Sequence, residues 1–118
     1  MFDSVDMIQG PMLDDRLEGP TASHFDPVWG AGMYGQWGLD DRATDAGGEP
    51  FEIGMQGLGL FACRRRAWPG LNPRFRGFGG EEGYLHEKVR RAGGRVLCHP
   101  AVGWAHRFGR PGGAPYHP

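Results

Sequence analysis

The sequence is poor in the residues that build a large core. Leucine, isoleucine, valine and phenylalanine together number 22 of 118 residues, about 19%. No run of about 18 apolar residues occurs, which excludes a membrane-spanning helix. The opening residues, Met1 to Gly10, lack the basic start and apolar stretch of a secretory signal. Only Cys63 and Cys98 carry thiols, too few for a disulfide scaffold, so a cytoplasmic setting with two buried free thiols is expected. A zinc site drawn from Cys63, Cys98, His99 and His106 would need a spacing outside the usual short ligand pairs. Strong net charge is also missing. The balance is −1 with a pI near 6.5, which argues against nucleic-acid binding. The low charge and the aromatic content, four Trp, three Tyr and seven Phe, separate the chain from disordered sequences. What is abundant is backbone punctuation. The 22 glycines and 10 prolines follow no period of three, which excludes collagen, and they point to one loop-rich domain with a modest core.

Charge is divided along the chain. Residues 1–62 hold Arg16 and Arg42 against eleven acids, whereas residues 63–118 hold eleven basic residues against Glu81, Glu82 and Glu87. Such a division points either to two halves that pack and neutralise each other, the leading expectation, or to anion binding by one half. A short strand is expected at Val5–Gln9, stopped by Gly10-Pro11. Over 20–50 the chain reads as irregular, with one or two short helical turns around Pro27–Trp37, where aromatics recur three and four residues apart. A strand is expected from Met55 to Cys63 and a helical turn at Arg64–Trp68. The clearest element is a helix from about Glu81 to Ala92, with Leu85, Val89 and Ala92 on one face. Acids occupy its first turn, Glu87 is placed to pair with Arg91, and Gly93-Gly94 forms its stop. Strands at Arg95–His99 and within Val102–Phe108 follow, then a flexible tail over 111–118.

One constellation carries chemistry. Gly79-Gly80-Glu81-Glu82 stands at a helix start, with His106 beyond the next strand. Glycines admit close approach of a ligand to the backbone, a carboxylate at a cleft edge can act as a general base, and a histidine can ligate a metal that neutralises phosphate charge.

Three ordered blocks are Gly57-Leu58-Gly59-Leu60-Phe61-Ala62-Cys63-Arg64, then Phe78-Gly79-Gly80-Glu81-Glu82, then Trp104-Ala105-His106-Arg107-Phe108. Together they resemble the C-terminal half of GT-A-fold, family 2-like glycosyltransferases, among them the β-1,4-galactosyltransferases and polypeptide N-acetylgalactosaminyltransferases. The likeness spans roughly residues 50–110. It implies an α/β, partial GT-A-like domain with an acidic, loop-rich acceptor-side segment at 1–49, a core at 50–110 and a tail at 111–118. It implies Glu82 as catalytic base and Glu81 as the adjacent acceptor-contacting acid, with Gly79 and Gly80 in the acceptor-side loop. It places Gly57 and Gly59 near the donor sugar, and His106 as a ligand of Mn²⁺ or Mg²⁺. Charge reasoning adds Arg107 and Arg110 toward a diphosphate, and Trp29, Trp37 and Trp68 are candidates for stacking on sugar rings. The implied partners are a nucleotide-sugar donor and a hydroxyl acceptor.

The nucleotide-binding half of that fold, which ends in Asp-x-Asp and supplies the remaining metal ligands, has no counterpart among these residues. Asp14-Asp15 and Asp40-Asp41 are adjacent pairs within Asp-Asp-Arg and do not match it. The chain is therefore expected to be the acceptor half of a transferase, either truncated, encoded separately from an N-terminal half supplied by another chain, or degenerate. The alternatives are a non-enzymatic carbohydrate- or protein-binding module using 25–37 and 74–80, or an inactive remnant.

Overall fold

Short apolar runs bounded by glycine and proline can support only short strands, and the fold is assembled from such pieces. A computed structural model describes residues 5–30, 33–75, 81–107 and 112. The strands are β1 (Met7–Gln9), β2 (Met12–Leu13), β3 (His24–Gly30), β4 (Met33–Gly38), β5 (Phe51–Glu52), β6 (Phe61–Cys63), β7 (Val96–Cys98) and β8 (Trp104–Ala105), with one helix, α1 (Glu81–Arg91), and 3-10 turns at Asp41–Thr44 and Arg65–Ala67. This is a small mixed α/β arrangement, as the sequence implies.

The main sheet has the order β5-β7-β1-β6. β1 runs parallel to β7, with Met7 opposite Val96, and antiparallel to β6, with Met7 opposite Cys63. All three residues of β7 are buried, as a central strand requires. α1 lays Leu85 and Val89 on this sheet, in one cluster with Met7, Ala43, Phe51, Ile53, Val96 and Cys98. The helix ends where Gly93 takes φ +86°. There Gly94 N–H donates to Val89 O and Gly93 N–H to Arg90 O, each at 2.9 Å, the paired bonds of a Schellman stop. A second, two-stranded sheet joins β2 and β8 in parallel. Residues 1–49 and 50–110 are thus interleaved, each contributing strands to the same sheets. The charge halves meet at Asp6–Arg66 (3.6 Å) and Glu52–Arg95 (2.6 Å).

Several expectations are corrected. Residues 24–38 form an antiparallel hairpin, β3–β4, rather than helical turns. Phe25, Trp29, Met33 and Trp37 are four apart, and a spacing of four satisfies a two-residue period as well as a helical one. The β-branched and aromatic content decides for the strand. The strand expected over 55–63 is confined to Phe61–Cys63, because Gly57 and Gly59 fall in irregular backbone, and Phe51–Glu52 adds an unforeseen edge. Ala92 is exposed past the helix end. Cys98 is fully buried, but Cys63 is only half-buried; both thiols are free. Among the described residues no helix is long and apolar enough to cross a membrane. The 77–80 loop and most of the 111–118 tail lie outside the described residues.

Candidate functional site

The site is centred on Gly57, in the irregular segment between β5 and β6. Gln9, the last residue of β1, is buried and donates through Nε2 to Gly57 O at 2.8 Å. A carbonyl can only accept, so this bond fixes the amide and turns Gln9 Oε1 toward α1. There His86, fully buried, donates from Nε2 at 2.9 Å. The other ring nitrogen of His86 lies 2.5 Å from Glu82 O, one turn back along the helix. Both nitrogens face acceptors, which favours the charged ring, but burial works the other way and holds the His86 pKa below its ordinary value. A hydrogen-bonded chain thus runs from Glu82, in the first turn of α1, through His86 and Gln9 to Gly57.

The flanks of Gly57 and Gly59 are occupied by aromatic rings of the chain itself. A Cβ at Gly57 would stand 3.3 Å from Trp37 Cη2 and 3.6 Å from Phe25 Cε2, two rings whose centroids are 4.0 Å apart. The hairpin is held there by Phe25 N–H, which donates to Met55 O at 2.8 Å. A Cβ at Gly59 would stand 2.5 Å from Trp104 Cζ3, so only glycine fits under that indole. Trp104 is fixed in turn by its Nε1–H, which donates to Gly10 O at 2.9 Å. Gly10 O also accepts from Gln56 Nε2 at 2.9 Å, and the same nitrogen reaches Ser23 O at 2.6 Å. Gln56 Oε1 is buried without a hydrogen-bond partner among the described residues.

His106 follows β8 and is half-buried, its ring 5.9 Å from that of Trp104. Because β8 lies parallel to β2, His106 shares a groove of about 400 Å³ with Asp14, Asp15, Arg16 and Thr21. One Asp14 oxygen is engaged by the N–H groups of Arg16 (2.8 Å) and Glu18 (2.9 Å). Among the described residues no three His, Cys, Asp or Glu side chains are grouped to hold a metal ion. They do not by themselves fit a resident divalent cation, which needs several oxygen ligands, and no step below is routed through one.

Of the residues singled out in the sequence, Glu81 and Glu82 are half-buried in the first turn of α1, and Arg107 is exposed beside His106. Gly79, Gly80 and Arg110 lie outside the described residues. Trp29 is separated from the centre. It is 73% exposed and four residues along β3 from Phe25, roughly 13 Å at strand spacing. Trp68 stacks on Phe61, with ring centroids 6.0 Å apart. Gln9, Gln56 and His86 were not anticipated. Their signal was present, since each is a polar residue inside an apolar stretch or on the apolar face of a helix.

Ser23, His24 and Asp26 have the order of a nucleophilic triad, with His24 Nδ1 at 2.8 Å from Ser23 Oγ and Nε2 at 3.2 Å from Asp26 Oδ1. Ser23 is fully buried, however, and its Oγ accepts from Asp40 N–H at 2.9 Å. No substrate carbonyl can reach it, so the three residues brace the hairpin base. Comparison with protein-family models, curated proteins and solved structures finds no match to this chain.

Proposed function

We propose that the chain is the acceptor-side half of a GT-A-like glycosyltransferase, moving a sugar from a nucleotide-sugar donor to a hydroxyl acceptor. One observation carries the reading. The three sequence blocks of the resemblance, far apart in the chain, converge on Gly57–Gly59: the helix that begins at Glu81-Glu82 through His86 and Gln9, and the strand that precedes His106 through Trp104. The sequence resemblance supplies the chemistry, and the convergence supports it.

In this reading the acceptor hydroxyl lies against Glu82, with Glu81 beside it as a further contact. As the hydroxyl oxygen attacks the anomeric carbon, Glu82 accepts its proton and the nucleoside diphosphate leaves with the bonding electron pair. Glu82 stands in the first turn of α1, where the helix dipole favours a negatively charged side chain. The hydrogen-bonded chain through His86 holds this first turn at a fixed distance from the glycine segment, where positioning is worth most. His106 would supply one ligand of a divalent cation, whose charge would offset that of the leaving diphosphate. The remaining ligands, and the nucleotide pocket, belong to an N-terminal half.

The test is sugar binding and transfer. The 118-residue chain should show no transfer from a panel of nucleotide sugars. Once the chain is joined to a nucleotide-binding half, Glu82→Gln should remove transfer, and full activity in that variant would sink the assignment. The exposed Trp29 on its two-stranded hairpin favours a second reading, a carbohydrate-binding module without catalysis. A glycan-array signal from the chain alone that survives EDTA would select it, whereas in the transferase reading sugar transfer by the joined enzyme should be lost on chelation.

A further inference from the structure

The hydrogen-bonded chain beneath Glu82 has more acceptors than a neutral His86 can serve. Gly57 O takes its bond from Gln9 Nε2, which fixes the Gln9 amide with Oε1 toward α1, where it can only accept. His86 meets that oxygen with Nε2 at 2.9 Å and Glu82 O with Nδ1 at 2.5 Å. A neutral imidazole carries one N–H. Glu82 O has another donor, the His86 amide four residues on in the helix. Gln9 Oε1 is buried, and His86 is the donor that reaches it. The single proton therefore belongs on Nε2. In that form the bare Nδ1 faces Glu82 O lone pair to lone pair, and the ring holds β1 but not the start of the helix. A second proton, on Nδ1, is what completes the bond to Glu82 O.

The surroundings decide where that proton is taken up. Burial resists it most, the bond to Glu82 O favours it, and the charge of Arg90, one turn on along α1, resists it again. Arg90 is itself paired with Glu87 at 2.9 Å. β1 presents the uncharged Gln9, and the glycine segment a backbone carbonyl. β7 adds Cys98 to the shared core, a thiol that burial pushes up to about 12 and so keeps neutral. None of these offsets the burial of the ring, and uptake falls below the ordinary histidine value of about 6.5.

We propose that His86 is a proton-operated tie between the first turn of α1 and the glycine segment. Neutral, it is fixed on Gln9 alone; protonated, it donates to Gln9 and Glu82 O together and draws the turn that carries Glu81 and Glu82 toward Gly57. Gln9 is the positioning residue, because its orientation, set by Gly57 O, leaves Nδ1 as the bare nitrogen. Acid thus tightens this one contact even as the buried charge lowers the stability of the whole fold. The tie stands on these contacts alone. Its use, in setting Glu82 against an acceptor hydroxyl, rests on the transferase reading.

The experiment is long-range proton–nitrogen correlation NMR of the His86 ring in the isotope-labelled full chain, titrated downward from about pH 8. At the start Nε2 should carry the proton and Nδ1 should be bare. On acidification Nδ1 should gain its proton while the chain is still folded, with a midpoint below about 6.5. The Glu82 carbonyl carbon should shift with that same midpoint, and the Gly57 carbonyl, bonded to Gln9 in both states, should hold still. Gln9→Glu sets a carboxylate against Nε2 and should raise the ring and Glu82 midpoints together by at least about one pH unit. Where that variant does not fold, Arg90→Met removes the repelling charge and should raise both together by a smaller step. The proposal fails if Nδ1 carries the proton at the start, if the ring keeps a single proton down to the acid unfolding transition, or if the Glu82 carbonyl does not follow the ring. Sugar transfer is not the readout, so a Glu82→Gln result that sinks the transferase reading leaves these outcomes as they are.

Discussion

Replacing Gln9 by leucine tests the chain of hydrogen bonds at the centre of the site. The substitution keeps the side-chain volume nearly constant, so little cavity is created and the effect reports on polar satisfaction. It removes two bonds at once, leaving Gly57 O and His86 Nε2–H buried without their partner. Each stranded group destabilises by about 1–3 kcal/mol, so the pair amounts to about 2–6 kcal/mol, less a small gain from burying an apolar side chain. At roughly 0.05–0.15 kcal/mol per residue, a chain of this length has about 6–18 kcal/mol in total. The loss is therefore large enough to read in guanidinium unfolding followed by tryptophan fluorescence. A double-mutant cycle sharpens the test. In Gln9→Leu/His86→Leu the imidazole is no longer stranded, so the double variant should be less destabilised than the sum of the singles by about 1–2 kcal/mol. A cost below about 1 kcal/mol for Gln9→Leu, or strict additivity, would show that the three groups do not act together.

Three further outcomes follow from the same contacts. The folded His86 has its pKa depressed by burial, so the unfolded chain takes up the proton first; stability is complete above about pH 6.5 and declines as pH falls through that value. Thermal midpoints measured at a series of pH values should show this decline in the native chain and a flatter profile in His86→Leu. Leu85→Ala, at a fully buried position against the sheet, should destabilise by about 2–5 kcal/mol in the same unfolding assay. Gly59→Ala should displace the Trp104 indole, because the new methyl would lie 2.5 Å from its ring; near-ultraviolet circular dichroism should change, and an unchanged spectrum would refute that packing.

The helix was the most legible element because its signals agreed: acids at the start, an i, i+4 pair of apolar residues, an ion pair between Glu87 and Arg91 at 3.2 Å, and glycine at the stop. The strands around Gln9 and Cys98 were also readable from short apolar runs ended by proline. The β3–β4 hairpin was not, since a spacing of four is common to both periodicities, and the pairing that resolves it is a contact between strands. The glycine segment was misjudged as strand for a related reason. The requirement for Gly59 is set by Trp104, 45 positions away, and no local pattern records it. For the site, Glu81, Glu82 and His106 stood out by residue type. Gln9 and His86 carried a weaker signal, each a polar residue in an apolar setting, and their pairing at 2.9 Å emerges only in the fold.

The position of β1 between β6 and β7 has a consequence for how the chain must be made. On a ribosome adding about 5–20 residues per second, about 4–18 seconds separate the synthesis of Gln9 from that of its partner Cys98. In that interval Met7–Gln9 has one strand neighbour at most, β6, and the helix that covers Met7 and Gln9 is made only near its end. The central strand is laid down first and completed last. The main sheet is consequently incomplete until β7 has been made, and a nascent chain halted before residue 95 would hold its apolar residues open to chaperones rather than in a finished core.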